Sequence, residues 1–104
     1  MTQEQAIMGL VQFLSGTPAY QEVRKSVDEL KKNPKLLHQL NDFKAAASAG
    51  QLSQQQMESL GQEYQRLSQI PELMRYFQAN DRYAEVIGSV MNEAHARLEK
   101  SIWA

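Results

Sequence analysis

An all-α fold, a helical bundle of about five helices closing on a long last helix, is what three features of this 104-residue chain predict. Apolar residues recur at steps of three and four along nearly the whole sequence. No segment alternates apolar and polar residues in a β-branched run, as a half-buried strand would. Each of the three prolines, Pro18, Pro34 and Pro71, stands at the head of a periodic segment, the one helical position where proline loses no hydrogen bond. A chain of this length is expected to form a single domain over residues 1–104.

The first helix opens on Thr2 with Gln5 three residues later, a capping-box spacing, and carries Ile7, Leu10, Val11 and Leu14 on one face. Gly16 is expected to stop it. Thr17 and Pro18 restart the chain as N-cap and first helical residue, and Tyr20, Val23, Val27 and Leu30 form the second stripe. Lys31 and Lys32 fall where positive charge complements a helix C-terminus. Asn33-Pro34 repeats the cap-then-proline device for a third helix, with Leu36, Leu37, Leu40, Phe43 and Ala47 expected to point inward. Gly50 offers a left-handed residue to end it. Ser53 and Gln56 give a second capping-box spacing, and Met57, Leu60, Tyr64 and Leu67 form the fourth stripe. Ile70-Pro71 predicts a kink or break, because proline disfavours helical geometry in the residue before it and lacks a donor.

From Pro71 onward a single helix is predicted, about 50 Å long if unbroken to the chain end. A compact domain of this size has a radius of gyration near ~13 Å, so the far end of such a helix needs cover from another chain or stays bare. One face carries Leu73, Phe77, Ala84, Ile87, Met91, Ala94, Leu98 and Ile102; a second set, Tyr76, Tyr83, Val86 and Val90, is the one expected to form a dimer surface. The candidate oligomer interface drawn from this helix is Tyr76, Asn80, Tyr83, Ile87, Val90, Met91 and Trp103. Asn80 falls in the seam between Phe77 and Ala84, where a buried asparagine fixes register and partner number; the other reading is that the seam turns to solvent there. Gly88 either lets a second helix approach closely or is an ordinary exposed position. Trp103 is either packed on a neighbour or frayed at the chain end.

Set against itself at an offset of 37, the chain aligns Val23 with Leu60, Val27 with Tyr64, Leu30 with Leu67, Pro34 with Pro71, Leu36 with Leu73 and Leu40 with Phe77. Either two helix–proline–helix units descend from one, or two amphipathic helix pairs with a proline between them align by their common period.

Composition narrows the chemistry. The chain has no cysteine, which removes disulfides, thiolate metal sites and thiol nucleophiles together. Net charge is -1, and the basic residues Arg24, Lys25, Lys31, Lys32, Lys35 and Lys44 are interleaved with acids, so direct binding of nucleic acid is not expected. No apolar run approaches the ~20 residues of a membrane span, and residues 1–18 lack the basic start of a secretion signal, so the expected location is cytoplasmic, away from membranes. His38 with Asp42 and His95 with Glu99 are i, i+4 pairs that lack a third ligand; no metal and no cofactor is assigned. No glycine-rich phosphate loop or nucleophile–base order is present, and the expectation is a protein that is not an enzyme.

The order of features, a short leading helix, SGTPAYQEVRKSVDELKKNPKLLHQLNDF, the small-residue tip SAGQLSQQQ and a second proline before a long helix, resembles the YlbF/YmcA family of bacterial proteins. The resemblance runs from Ala6 to Ile102, and its most telling positions are Tyr20, Leu30, Asn33-Pro34, Phe43, Gly50, Pro71 and Tyr83-Ala84. It implies a small helical protein that self-associates as a dimer or higher oligomer and acts through protein partners. Members of the family are linked to competence, sporulation and biofilm formation, some as adaptors for messenger-RNA processing by ribonuclease Y. Iron–sulfur clusters held through cysteines in that adaptor complex cannot be carried over to a chain without cysteine. The family supplies no catalytic residue to map. Competing classes are a secreted helical hairpin of about one hundred residues, which usually carries a Trp-x-Gly turn where this chain has Ser48-Ala49-Gly50, and a helical chaperone or assembly factor.

Overall fold

The computed structural model describes residues 1–103, and these form five α-helices and no strand. They are α1 (Gln3–Ser15), α2 (Pro18–Lys31), α3 (Pro34–Ser48), α4 (Gln54–Ser68) and α5 (Pro71–Ile102). The ends are set by the local chemistry read above. Thr2 and Gln5 close a reciprocal capping box on α1, and Ser53 and Gln56 do the same on α4, each pair satisfying two otherwise orphaned amides. Thr17 Oγ1 serves both sides of its junction: it donates to the Leu14 carbonyl at 2.6 Å and accepts the Tyr20 amide at 3.3 Å. Asn33 caps α3 through the Leu36 amide.

Three local expectations are corrected. No residue among those described has positive φ, so Gly50 does not serve as a left-handed stop. α3 instead ends where Ala49 turns to extended backbone (φ -65°, ψ 135°), with Ser48 Oγ bonded back to the Lys44 carbonyl at 2.8 Å. Ala47, placed inward by its spacing, is exposed, because the last turn of α3 has no covering neighbour on that side. Lys32 falls one residue beyond α2 and leaves the final turn to Lys31.

Contacts gather into two compact units, Arg24–Gln78 and Met1–Val23 with α5 from Ala79 onward. In the first, Leu30, Leu67 and Leu73 are fully covered, joined by Leu36, Leu40 and Tyr76. Each such leucine contributes about 1.5–3 kcal/mol by leaving water. Phe43, Tyr64 and Phe77 meet beside this core with ring centroids 4.8 to 6.2 Å apart, and Lys44 Nζ donates to the Tyr76 hydroxyl at 3.2 Å.

Within this unit the 37-residue offset is visible in the main chain. Lys32 N–H reaches the Glu29 carbonyl at 3.2 Å, and Gln69 N–H reaches Arg66 at 3.3 Å. Asn33 bonds Leu30 at 2.9 Å, and Ile70 bonds Leu67 at 3.0 Å. Leu37 bonds Asn33 at 3.1 Å, and Met74 bonds Ile70 at 2.8 Å. The break before Pro71 is therefore built like the break before Pro34, and the leucine three residues before each break, Leu30 or Leu67, is fully buried. Side chains follow the pattern loosely. Glu29 of α2 pairs with Arg75 of α5 at 3.4 Å, while Arg66, the counterpart of Glu29, reaches Gln39 of α3 at 3.2 Å.

Candidate interaction surface

α5 is continuous over 32 residues, about 48 Å at the helical rise. Nothing in its interior interrupts the hydrogen bonding, and a Cβ placed on Gly88 would meet open space. In the unit built from α1, the start of α2 and α5 from Ala79, two contacts tie α5 to α2. Tyr20 and Tyr83 pack edge to face with ring centroids 5.8 Å apart, and Arg82 Nη1 donates to Glu22 Oε2 at 2.8 Å.

The two apolar stripes of α5 differ from expectation in which one the chain covers for itself. The Tyr76, Tyr83, Val86 and Val90 line is the covered one: Tyr76 is 6 % exposed and the other three are half-buried. The longer stripe is open in its second half. Ala84 and Ala94 are exposed, Ile87 is half-buried, and exposure rises from 49 % at Met91 through 64 % at Leu98 to 72 % at Ile102. The physical reason is angular. Successive residues are ~100° apart on a helix, so the Tyr20 ring that covers Tyr83 leaves Ala84 uncovered.

Asn80 is exposed, which agrees with a seam that reaches solvent at that point in a single chain. Trp103, one residue past α5, is 83 % exposed, with its amide bonded to the Glu99 carbonyl at 3.3 Å. Of the seven interface candidates, the structure thus places Met91, Asn80 and Trp103 at the surface, Ile87, Val90 and Tyr83 half-covered, and Tyr76 inside. Leu98 and Ile102 were legible as part of the stripe but not as its most exposed members. α1 adds a further open surface: it has no buried residue, and Ile7, Met8, Val11 and Phe13 are all more than half exposed. Phe13 with Val90, Glu93, Ala94 and Arg97 lines an open hollow of about 490 Å³.

Charge on this end of α5 is balanced and locally paired. Arg97 donates to Glu93 at 2.6 Å, and His95 lies 3.8 Å from Glu99. In the other unit, the tip between α3 and α4 holds an open hollow of about 400 Å³ lined by Ala46, Ala49, Leu52, Gln56, Ser59, Leu60 and Glu63. Arg66 donates through Nε to Glu63 Oε2 at 3.1 Å and through Nη2 to Glu63 Oε1, holding that carboxyl below its usual range and raising the guanidinium. His38 sits 3.2 Å from Asp42 on the exposed side of α3. Among the described residues, no three histidine, cysteine or acidic side chains converge as a metal site, and no helix is long and apolar enough to cross a membrane.

The class is defined by this build: an all-α chain of capped short helices running into one long helix whose second half presents an open apolar seam. The profile of the family described as control of competence regulator ComK, YlbF/YmcA, matches residues 4–99, and the chain belongs to that family. Its description assigns a regulatory role in competence. No curated protein and no solved structure matches the chain.

Proposed function

We propose that this protein is a non-catalytic regulator that works by binding other proteins in the cytoplasm, as a self-associating adaptor in the control of competence or of the allied programmes of sporulation and biofilm formation. The observation that carries this reading is the family match over residues 4–99 taken with the open seam of α5. A large exposed apolar patch on a small protein marks a binding surface, because water contact with it costs free energy that a partner recovers. A role beside ribonuclease Y in messenger-RNA processing is the finer form of the proposal. Without cysteine it would act there without contributing ligands to an iron–sulfur cluster.

The test is crosslinked affinity capture of the tagged full chain from its native cells, read by mass spectrometry. Enrichment of ribonuclease Y or of further family members supports the adaptor reading. Failure to enrich either, with the bait recovered intact, refutes the messenger-RNA form. Unchanged competence, sporulation and biofilm formation after deletion of the gene refutes the regulatory form.

A further inference from the structure

Residues 24–35 carry five cations, Arg24, Lys25, Lys31, Lys32 and Lys35, against two acids, Asp28 and Glu29. The fold sharpens this excess, because Glu29 is engaged by Arg75 of α5 at 3.4 Å. Asp28, one turn before Lys31 and Lys32, is the acid left beside the lysines. Lys31, Lys32 and Lys35 are exposed, and among the described residues none of the three makes an ion pair. We propose that this joint between α2 and α3 docks a short acidic segment of a partner protein. The proposal rests on the function given above and names the chemistry of one partner it implies.

Folding does not require these charges. The joint before Pro71 is made by the same main-chain bonds and an equally buried leucine, and where the first joint has Lys31, Lys32 and Lys35 it carries Ser68, Gln69 and Glu72. Lys31, in the last turn of α2, does gain from the helix dipole. Lys35 does not. It is the second residue of α3, where the dipole disfavours a cation, and it follows two like charges by three and four residues. An anion arriving from outside relieves both repulsions at once.

The main chain that presents the lysines is already ordered. Leu30 and Leu36 are buried on either side of the joint, the Asn33 amide donates to the Leu30 carbonyl at 2.9 Å, and the Asn33 side chain accepts the Leu36 amide at 3.4 Å. Only the flexible lysine stems remain to be fixed on binding. Protein suits the joint better than nucleic acid. Residues 24–39 include no aromatic ring on which a base could stack, and a polyanion longer than the joint would run on over a chain whose net charge is -1. An extended peptide sets alternate side chains about 7 Å apart on one side, so two or three carboxylates at that spacing answer the three lysines.

The test is an NMR titration of the full chain with a synthetic peptide of alternating glutamate and serine. Saturable shifts are expected at the amides of Lys31, Lys32 and Lys35 at about 20 mM salt, with affinity falling at least tenfold near about 0.3 M. The variant Lys31→Ser, Lys32→Gln, Lys35→Glu gives this joint the residues of the other, and should keep its helicity and bind at least about tenfold more weakly. Should that variant unfold, Lys32→Gln and Lys35→Gln singly are expected to weaken binding about threefold each. No saturable shift, equal shifts at Ser68, Gln69 and Glu72, or undiminished binding by the variants overturns the proposal. Tighter binding of a single-stranded oligoribonucleotide at the same amides overturns it in favour of nucleic acid. Any of these failures leaves the regulatory reading to be judged by partner capture, and failed capture alongside the expected titration leaves the acidic docking site standing.

Discussion

Replacing Leu67 by alanine tests how the unit Arg24–Gln78 is held together. The side chain is fully buried at the end of α4, so all of its removed surface is lost to the core. Three buried carbons at ~0.8 kcal/mol each amount to ~2.4 kcal/mol. A residual void of ~40 Å³ at ~24 cal/mol per Å³ adds about 1 kcal/mol. The expected loss is therefore ~3–4 kcal/mol, a large part of the ~5–15 kcal/mol by which domains of this size are stable. Urea unfolding at fixed chain concentration should show the midpoint falling by ~1.5–2 M for a slope near ~2 kcal/mol per M. Two comparisons sharpen the result. Met57→Ala, on the same helix but 55 % exposed, should cost less than ~1 kcal/mol. Leu30→Ala, at the equivalent place before the other proline break and equally buried, should match Leu67→Ala within about 1 kcal/mol. If Leu67→Ala costs no more than Met57→Ala, the core assignment is wrong. If Leu30→Ala and Leu67→Ala differ by several kcal/mol, the two breaks are not energetically alike.

Further outcomes are expected from the caps, the glycines and the one perturbed acid. Ser53→Ala removes half of the α4 capping box and should lower stability by ~1 kcal/mol in the same urea assay, whereas Ser53→Asp should restore most of it. Gly61→Ala lies in the exposed interior of α4, where a Cβ meets nothing within 4 Å, and should raise stability by up to ~1 kcal/mol; a loss would mean that something packs there. Glu63 should titrate by NMR below its midpoint in an Arg66→Gln variant, because the hydrogen bond from Arg66 favours the ionised form. Since the folded carboxyl is the stronger acid, its contribution is complete above the usual carboxylate range and is lost as pH falls through the depressed value.

Helix number and helix ends were legible because they depend on residues close in sequence. Thr2, Thr17, Asn33 and Ser53 each satisfy an amide three residues on, and no tertiary partner is needed to make that bond. Burial was less legible because it depends on which neighbour arrives. The periods of α5 showed two apolar stripes, but which of them is covered depends on neighbours distant in sequence, such as Tyr20, which packs against Tyr83. Met57 and Tyr64 belong to a regular stripe on α4, yet only Leu67 at its end is buried. The stop after α3 was misread for a related reason. Gly50 permits a left-handed turn without requiring one, and extended backbone at Ala49 ends the helix first.

The matched breaks before Pro34 and Pro71 are secured by main-chain bonds and a buried leucine, and the first also by the Asn33 side-chain cap. Identity at the surface of these joints is thus free to drift while the geometry persists. One already carries Lys31, Lys32 and Lys35, and the other carries Ser68, Gln69 and Glu72 at nearly the same places. A lineage can therefore rewrite the charge displayed at either joint, and with it the set of proteins that will tolerate contact there, without renegotiating how the chain folds.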